Sequence, residues 1–93
     1  MSVLTVTTSN RFKKDVKRLR DHHRLLVALD QAIKLLSFGE TLPDRYEDHG
    51  LVGDYDGFRE CHIRPDFLLI YRMIESEAEL YLLRTGSHSE LFG

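Results

Sequence analysis

The stretch that most constrains the fold is residues 58–85, which predicts three β-strands joined by two tight turns. Residues 67–74 are an almost uninterrupted apolar run, as is typical of a strand buried on both faces. Residues 58–64 precede this run, and residues 78–85 follow it after a Glu75-Ser76-Glu77 turn. Because each connection is short, we expect an antiparallel meander with residues 67–74 as its central strand.

The N-terminal half predicts a short strand followed by a helical hairpin. Residues 4–8 are rich in β-branched side chains, and Ser9 or Asn10 can cap the helix that follows. Apolar residues then recur at helical spacing through 12–19 and 25–36. The predicted fold class is therefore α+β: an N-terminal strand, a helical hairpin on one face of the sheet, the three-stranded antiparallel meander and a short C-terminal tail.

The length and the single cysteine favour one small domain, residues 1–93, in a reducing compartment. Cys61 has no partner for an internal disulfide, and strand alternation places it opposite His62, so we expect it to be a buried small apolar side chain. No apolar run reaches the roughly 18 residues of a membrane-spanning helix, and the N-terminus lacks a signal-peptide pattern. We therefore expect a cytoplasmic protein with no membrane partner.

Positive charge is concentrated in residues 11–24, although the whole chain has a net charge of −2. The basic residues of this segment are Arg11, Lys13, Lys14, Lys17, Arg18, Arg20 and Arg24. A basic element on an acidic body favours a polyanion on one side of the molecule. A solvated helix face would give the same pattern.

Polar and titratable side chains are expected to meet at one end of the sheet. His62 and Asp66 flank the turn between the first two strands of the meander, and the next hairpin returns Thr85 to the same end. A loop that contains His49 leads into the first of these strands. The full candidate set is His49, His62, Asp66, Arg84, His88 and Phe92.

This set suits cleavage of RNA by its own 2′-OH. Histidine can act as general base or general acid because its unperturbed pKa of about 6.5 is close to neutrality. Arginine binds phosphate without losing its proton, and a ring such as Phe67 or Phe92 can stack on an unpaired base. This chemistry requires no metal and no cofactor.

Two other interpretations of the histidines stay open. His49, His62, His88 and Asp66 could supply three nitrogens and one oxygen to zinc, although the short spacings of zinc motifs are absent and Arg84 would repel a dication. The histidines could also be unrelated surface groups. In the same way, Asp66 is a natural turn residue, and Phe67 could belong to the core.

Three segments carry a resemblance to a known family. The segments Y-E-D-H-G-L-V-G at 46–53, G-F-R-E-C-H-I-R-P-D-F-L-L-I-Y at 57–71 and L-R-T-G-S-H-S-E-L-F-G at 83–93 resemble the YafQ branch of the RelE/ParE toxin superfamily. The resemblance covers essentially the whole chain. It implies a RelE-like microbial-RNase fold and a type II toxin that cuts mRNA in the ribosomal A site, leaving a cyclic phosphate.

The resemblance also implies roles and partners. Matching motif positions give His49, His62, Asp66 and His88 as catalytic residues, and Arg84 and Phe92 as phosphate and base contacts. His88 is the candidate general acid, and the base stays open among His49, His62 and Asp66. Where this branch often has tryptophan after the aspartate, this chain has Phe67. The residues expected to contact RNA electrostatically are Lys13, Lys14, Lys17 and Arg18.

The partners implied are a cognate antitoxin, mRNA in the A site and 16S rRNA, with operator DNA bound only through the antitoxin. A ParE-like gyrase-poisoning toxin on the same fold is one alternative, although that branch generally lacks this histidine set. A catalytically inactive domain that binds only antitoxin and DNA is the other.

Overall fold

The computed structural model describes residues 3–93 and contains a five-stranded sheet with its two long helices on one face and a short third helix on the other. The strands are β1 Thr5–Thr8, β2 His49–Gly50, β3 Arg59–Arg64, β4 Phe67–Ile74 and β5 Glu79–Gly86. The helices are α1 Asn10–Arg18, α2 His23–Ser37 and the short α3 His88–Phe92. Single 3-10 turns lie at Asp44–Tyr46, Gly53–Tyr55 and Glu75–Glu77.

The strand order is β1-β5-β4-β3-β2, with β1 parallel to β5 and every other neighbouring pair antiparallel. The predicted α+β layout is confirmed, including the helical hairpin, the meander and the short tail. The two-residue strand β2 was expected to be loop. It is too short to show a period-2 pattern, so only its pairing with β3 defines it.

Local interactions explain where the helical hairpin of α1 and α2 begins and ends. The Ser9 hydroxyl oxygen accepts a hydrogen bond from the Phe12 N–H at 2.9 Å and donates one to the Leu83 carbonyl at 2.6 Å. The cap therefore also ties the start of α1 to β5, and the Ser9 prediction is confirmed. At the end of α2, Gly39 adopts a left-handed conformation with φ of 75°.

The core lies on both faces of β4, as the apolar run predicted. Leu69 and Tyr71 pack towards α1 and α2, whereas Leu68 and Ile70 pack on the opposite face with Leu91 of α3. Cys61 is fully buried on the helix side, and this burial raises its thiol pKa to about 12. The expectation that Cys61 is a buried small apolar side chain is confirmed.

The sheet contains two register shifts. A register shift in the β3–β4 pairing lies between His62 and Arg64, and a second in the β4–β5 pairing lies between Ile70 and Tyr71. The β3–β4 turn lies close to the start of α3, where Asp66 accepts a hydrogen bond from the His88 N–H. Across residues 3–93, no helix combines the length and apolar character needed to cross a bilayer.

Candidate active site

One half of the site is built on β3, where alternation places Glu60 and His62 on the same face. Glu60 is only 5% exposed. Its Oε2 lies 3.1 Å from His49 Nε2 and 3.5 Å from His62 Nε2. The pairing of β2 with β3 sets His49 directly opposite Glu60. A buried carboxylate is thus shared by two imidazoles, which compensate for its loss of hydration.

The loop that carries His49 is fixed by hydrogen bonds at Glu47, Asp48 and His49. His49 Nδ1 donates to the Glu47 carbonyl at 2.6 Å, since a carbonyl can only accept. Asp48 Oδ1 accepts hydrogen bonds from the Tyr71 hydroxyl at 2.6 Å and from Arg59 Nε at 3.2 Å. Burial, together with the Asp48 carboxylate, raises the pKa of Tyr71, so its hydroxyl stays a donor. The His49 ring is therefore held in one orientation.

The other half comes from the β3–β4 turn and α3. Asp66 Oδ1 accepts hydrogen bonds from the His88 backbone N–H at 3.0 Å and from His88 Nδ1 at 2.6 Å. The backbone N–H and then the ring N–H lower the pKa of Asp66 below its usual value. The Ser87–Glu90 capping box fixes the first turn of α3. His88 consequently presents its Nε2 away from Asp66.

The two halves meet in a row of rings. The His62 centroid lies 6.3 Å from that of His49 and 5.6 Å from that of His88. The Phe92 ring follows at 6.4 Å from His88, rests edge-on against Tyr55 at 5.4 Å and is 47% exposed. The structure therefore brings together five of the predicted residues: His49, His62, Asp66, His88 and Phe92.

The structure places Arg84 differently from the expected phosphate contact. Its Nε and Nη2 donate to the two oxygens of Asp15 at 2.8 and 3.0 Å, and the pair is buried. Asp15 also accepts from the Thr85 N–H at 3.1 Å and from Arg18. The pairing of β1 with β5 ends at Leu82. Beyond that point on the edge of β5, the Asp15 carboxylate accepts the hydrogen bond of the Thr85 backbone N–H. Arg84 is thus an internal partner of α1.

The structure also corrects the suggestion that Phe67 stacks on a base. Phe67 is 5% exposed and packs in the helix-side core with Leu69 and Tyr71. These residues alternate along β4, so the ring has the same orientation as the core side chains. Phe92 is then the exposed aromatic ring of the site.

Two carboxylates escaped the sequence prediction. Glu60 could have been found, because it lies two residues before His62 on the same strand and must share its face. Asp15 could not, because its role depends on a contact with a residue 69 positions away.

The basic residues predicted on α1, Lys13, Lys14, Lys17 and Arg18, are all exposed.

The site offers donors that fit a metal ion. Glu60, His62 and His88 each supply one ligand atom, and these atoms lie within 4.8 Å of one another. One carboxylate oxygen and two imidazole nitrogens suit a divalent transition metal. This set differs from the one considered from sequence, since Asp66 is engaged by His88.

Comparison with known proteins gives a consistent result. A family model described as "Bacterial toxin of type II toxin-antitoxin system, YafQ" matches residues 4–93. The chain is 37% identical over 86 residues to the mRNA interferase toxin YafQ of Escherichia coli strain K12, covering 91% of each protein.

Solved structures of similar toxins show the same fold. A metal-bound toxin from Helicobacter pylori is 44% identical, with a TM-score of 0.87 over 96% of this chain and 99% of that one. The toxin in the E. coli DinJ-YafQ toxin-antitoxin complex is 35% identical, with a TM-score of 0.85 over 97% of this chain and 98% of that one.

Proposed function

The chain belongs to the YafQ family of bacterial type II toxins, and we propose that it is a ribosome-dependent mRNA endonuclease. The observation that carries this proposal is the row of three imidazoles at a buried carboxylate, in which His88 is oriented by Asp66. An acid and a base separated by about the width of a phosphate are what cleavage by the 2′-OH requires.

His88 is the proposed general acid. Its Nδ1–H donates to Asp66, and the lowered pKa of Asp66 keeps this carboxylate ionised. An anion at Nδ1 stabilises the imidazolium, which leaves the Nε2 proton for the departing 5′ oxygen. His88 is half exposed, so a substrate can reach it.

His62 is the proposed general base. It lies between His49 and His88, with its Nε2 near Glu60. In the proposed reaction, His62 takes the 2′-OH proton and the 2′ oxygen attacks phosphorus. The bond from phosphorus to the 5′ oxygen breaks, and His88 protonates that oxygen. The products are a 2′,3′-cyclic phosphate and a 5′-hydroxyl.

His49 and Phe92 complete the proposed site. Both ring nitrogens of His49 face oxygen atoms, so we assign this ring to positioning Glu60 beside His62. The exposed Phe92 ring can stack on a base beside the cleaved bond. Because Arg84 is bound by Asp15, we assign it to holding the end of β5 from which α3 begins.

We propose that cleavage does not depend on a metal. Glu60, His62 and His88 would hold a divalent ion, which would supply Lewis-acid chemistry at a phosphate oxygen. The same binding would occupy the nitrogen lone pairs that proton transfer uses. Cleavage should therefore persist in EDTA and decrease with added Cu²⁺, and loss of cleavage in EDTA would contradict this part of the proposal.

The proposed partners follow from the family and from charge. A cognate antitoxin would neutralise the toxin in the cytoplasm, as DinJ accompanies YafQ in the E. coli complex, and operator DNA would be bound only through it. The exposed lysines of α1 would contact 16S rRNA by a salt-dependent, sequence-independent attraction.

The decisive experiment compares the wild-type chain with His88→Ala and with the control His22→Ala, whose exposed ring lies outside the site. After brief induction in cells, cellular mRNA should be cut by the wild type and by His22→Ala, and stay intact with His88→Ala. Intact mRNA alongside growth arrest by the wild type would overturn the nuclease proposal and favour a gyrase-poisoning toxin. Undiminished cleavage by His88→Ala would overturn the role of His88.

A further inference from the structure

A groove leads away from His62 along one side of the molecule. Next to His62, a cavity of about 510 Å³ lies between α2, the Asp44–Tyr46 turn and the β3–β4 turn. A second cavity of about 290 Å³ continues along α2 to His23 and Arg24. Gln31 and Arg64 line both cavities, so the two form one path from the proposed base to the start of α2.

The walls of this groove carry two guanidinium groups held by neutral partners, and the one carboxylate among the lining residues of the two cavities, Glu47, lies 3.8 Å from His62 Nδ1. Arg45 lies over the Tyr46 ring, 4.9 Å from its centroid, and its Nη2 donates to the Tyr46 hydroxyl at 3.3 Å. Arg64 Nη1 donates to the Ile63 carbonyl at 3.0 Å. Within residues 3–93, no carboxylate lies within 4.0 Å of either guanidinium. Their charge is therefore positioned but not neutralised.

The lining favours a phosphodiester chain over an apolar partner. Arg24 extends the positive charge beyond Arg64, and Gln31 offers an amide between the two cavities. Apolar side chains also line the groove, Tyr46, Ile63 and Pro65 near His62 and Val27 and Ala28 at the far end. A helix that docked here through its apolar face would bury the two guanidinium groups without a counter-charge, which is costly. Fixed guanidinium groups suit phosphate oxygens.

We propose that this groove binds the backbone of single-stranded RNA on one side of the cleaved phosphate. Arg45 and Arg64 contact the first phosphates beyond the reaction centre, and Arg24 contacts a later one. This inference rests on the proposed function, because His62 opens directly into the groove. It adds a substrate-binding surface that is distinct from the lysines of α1.

The test uses Arg45→Gln, Arg64→Gln and the double variant, with Arg72→Gln as the matched control. Arg72 is also an exposed arginine held near a ring, 5.8 Å from the Phe58 centroid, and it lies outside the groove. The probe is a short single-stranded RNA, 2′-O-methylated throughout so that it cannot be cleaved. Its binding is followed by fluorescence anisotropy over a salt series, and thermal unfolding confirms that each variant is folded.

Each phosphate contact on single-stranded nucleic acid contributes about 0.7 to the slope of log affinity against log salt. The double variant should therefore lose about 1.4 from this slope, each single variant about half of that, and Arg72→Gln none. In translating extracts, the double variant should need more toxin to reach the wild-type rate of mRNA cleavage.

Four results separate the possibilities. If the wild type cleaves mRNA and the double variant binds and cleaves RNA as well as the wild type does, the groove proposal is overturned and the nuclease proposal stands. RNA binding that needs Arg45 and Arg64 without any wild-type cleavage would support the groove and overturn the proposed function. A wild-type chain that neither binds nor cleaves RNA would overturn both. Unchanged RNA binding with weakened antitoxin binding would assign the groove to a protein and overturn the RNA proposal.

Discussion

Replacing Asp15 with asparagine tests the most buried ionic contact of the fold. Asp15 and Arg84 side chains are only 2% and 9% exposed, and Arg84 Nε and Nη2 lie 2.8 and 3.0 Å from the carboxylate. Asparagine keeps the volume but leaves a buried guanidinium without its counter-charge. Removing one partner of such a pair costs about 3–5 kcal/mol, against a total of about 5–15 kcal/mol for a domain.

The chain offers a matched control in Asp30→Asn. Asp30 pairs with Lys34 at 3.0 Å across one helical turn, but both side chains are more than half exposed. Such exposed pairs contribute about 0.5 kcal/mol or less. In a domain of this size, 1 kcal/mol shifts the melting temperature by about 4–8 °C. Asp15→Asn should therefore melt at least about 12 °C below the wild type, and Asp30→Asn within a few degrees of it.

The pH dependence of this difference follows from the Asp15 pKa. Burial of Asp15 opposes ionisation, but hydrogen bonds from Arg84, the Thr85 N–H and Arg18 outweigh it and lower the pKa. The stabilisation is therefore fully present above the unfolded pKa of about 3.9 and is lost as the pH falls through the lower native value. Urea unfolding at a series of pH values should give a constant gap between wild type and Asp15→Asn above about pH 5, which narrows in acid. A gap no larger than that of Asp30→Asn, or one that widens in acid, would refute this reasoning.

Three further predictions concern the groups around the site. Glu60→Gln should keep the fold but lower the rate of mRNA cleavage by about tenfold or more and change its pH profile, and Glu60→Asp should restore part of that rate. A wild-type rate and pH profile in Glu60→Gln would exclude a positioning role for Glu60. Tyr71→Phe removes the 2.6 Å hydrogen bond to Asp48 and should cost about 1–3 kcal/mol in urea unfolding, whereas an unchanged midpoint would show that this anchor is dispensable. Cys61, fully buried with its pKa raised to about 12, should react with a maleimide only as fast as the protein unfolds, so rapid labelling of the native chain would contradict its placement.

The sheet and the helical hairpin could be predicted because their patterns are local. The apolar run of β4 required a strand covered on both faces, and Ser9 supplied a cap that the structure retains. The meeting of His62, Asp66 and His88 at one end also followed, since two short turns return the strands to the same edge.

The rest depended on contacts that no local pattern encodes. Arg84 was expected to bind phosphate because of the chemistry of arginine and because the resemblance implied that role, but its side-chain partner, Asp15, lies on α1. Phe67 was considered as a stacking ring, although its alternation with Leu69 already favoured the core. The strand β2 needed the pairing of His49 with Glu60, which only the folded sheet provides.

The central claim is that the histidine row cleaves mRNA through the RNA's own 2′-OH. The most direct measurement gives purified toxin a programmed ribosome whose mRNA carries one 2′-deoxynucleotide immediately before the cleaved bond. We predict no cleavage at that bond, with the all-ribose mRNA cut to a 2′,3′-cyclic phosphate and a 5′-hydroxyl. Equal cleavage of both mRNAs, or a 5′-phosphate on the product, would contradict the account, because each would require an attacking group other than the 2′-OH.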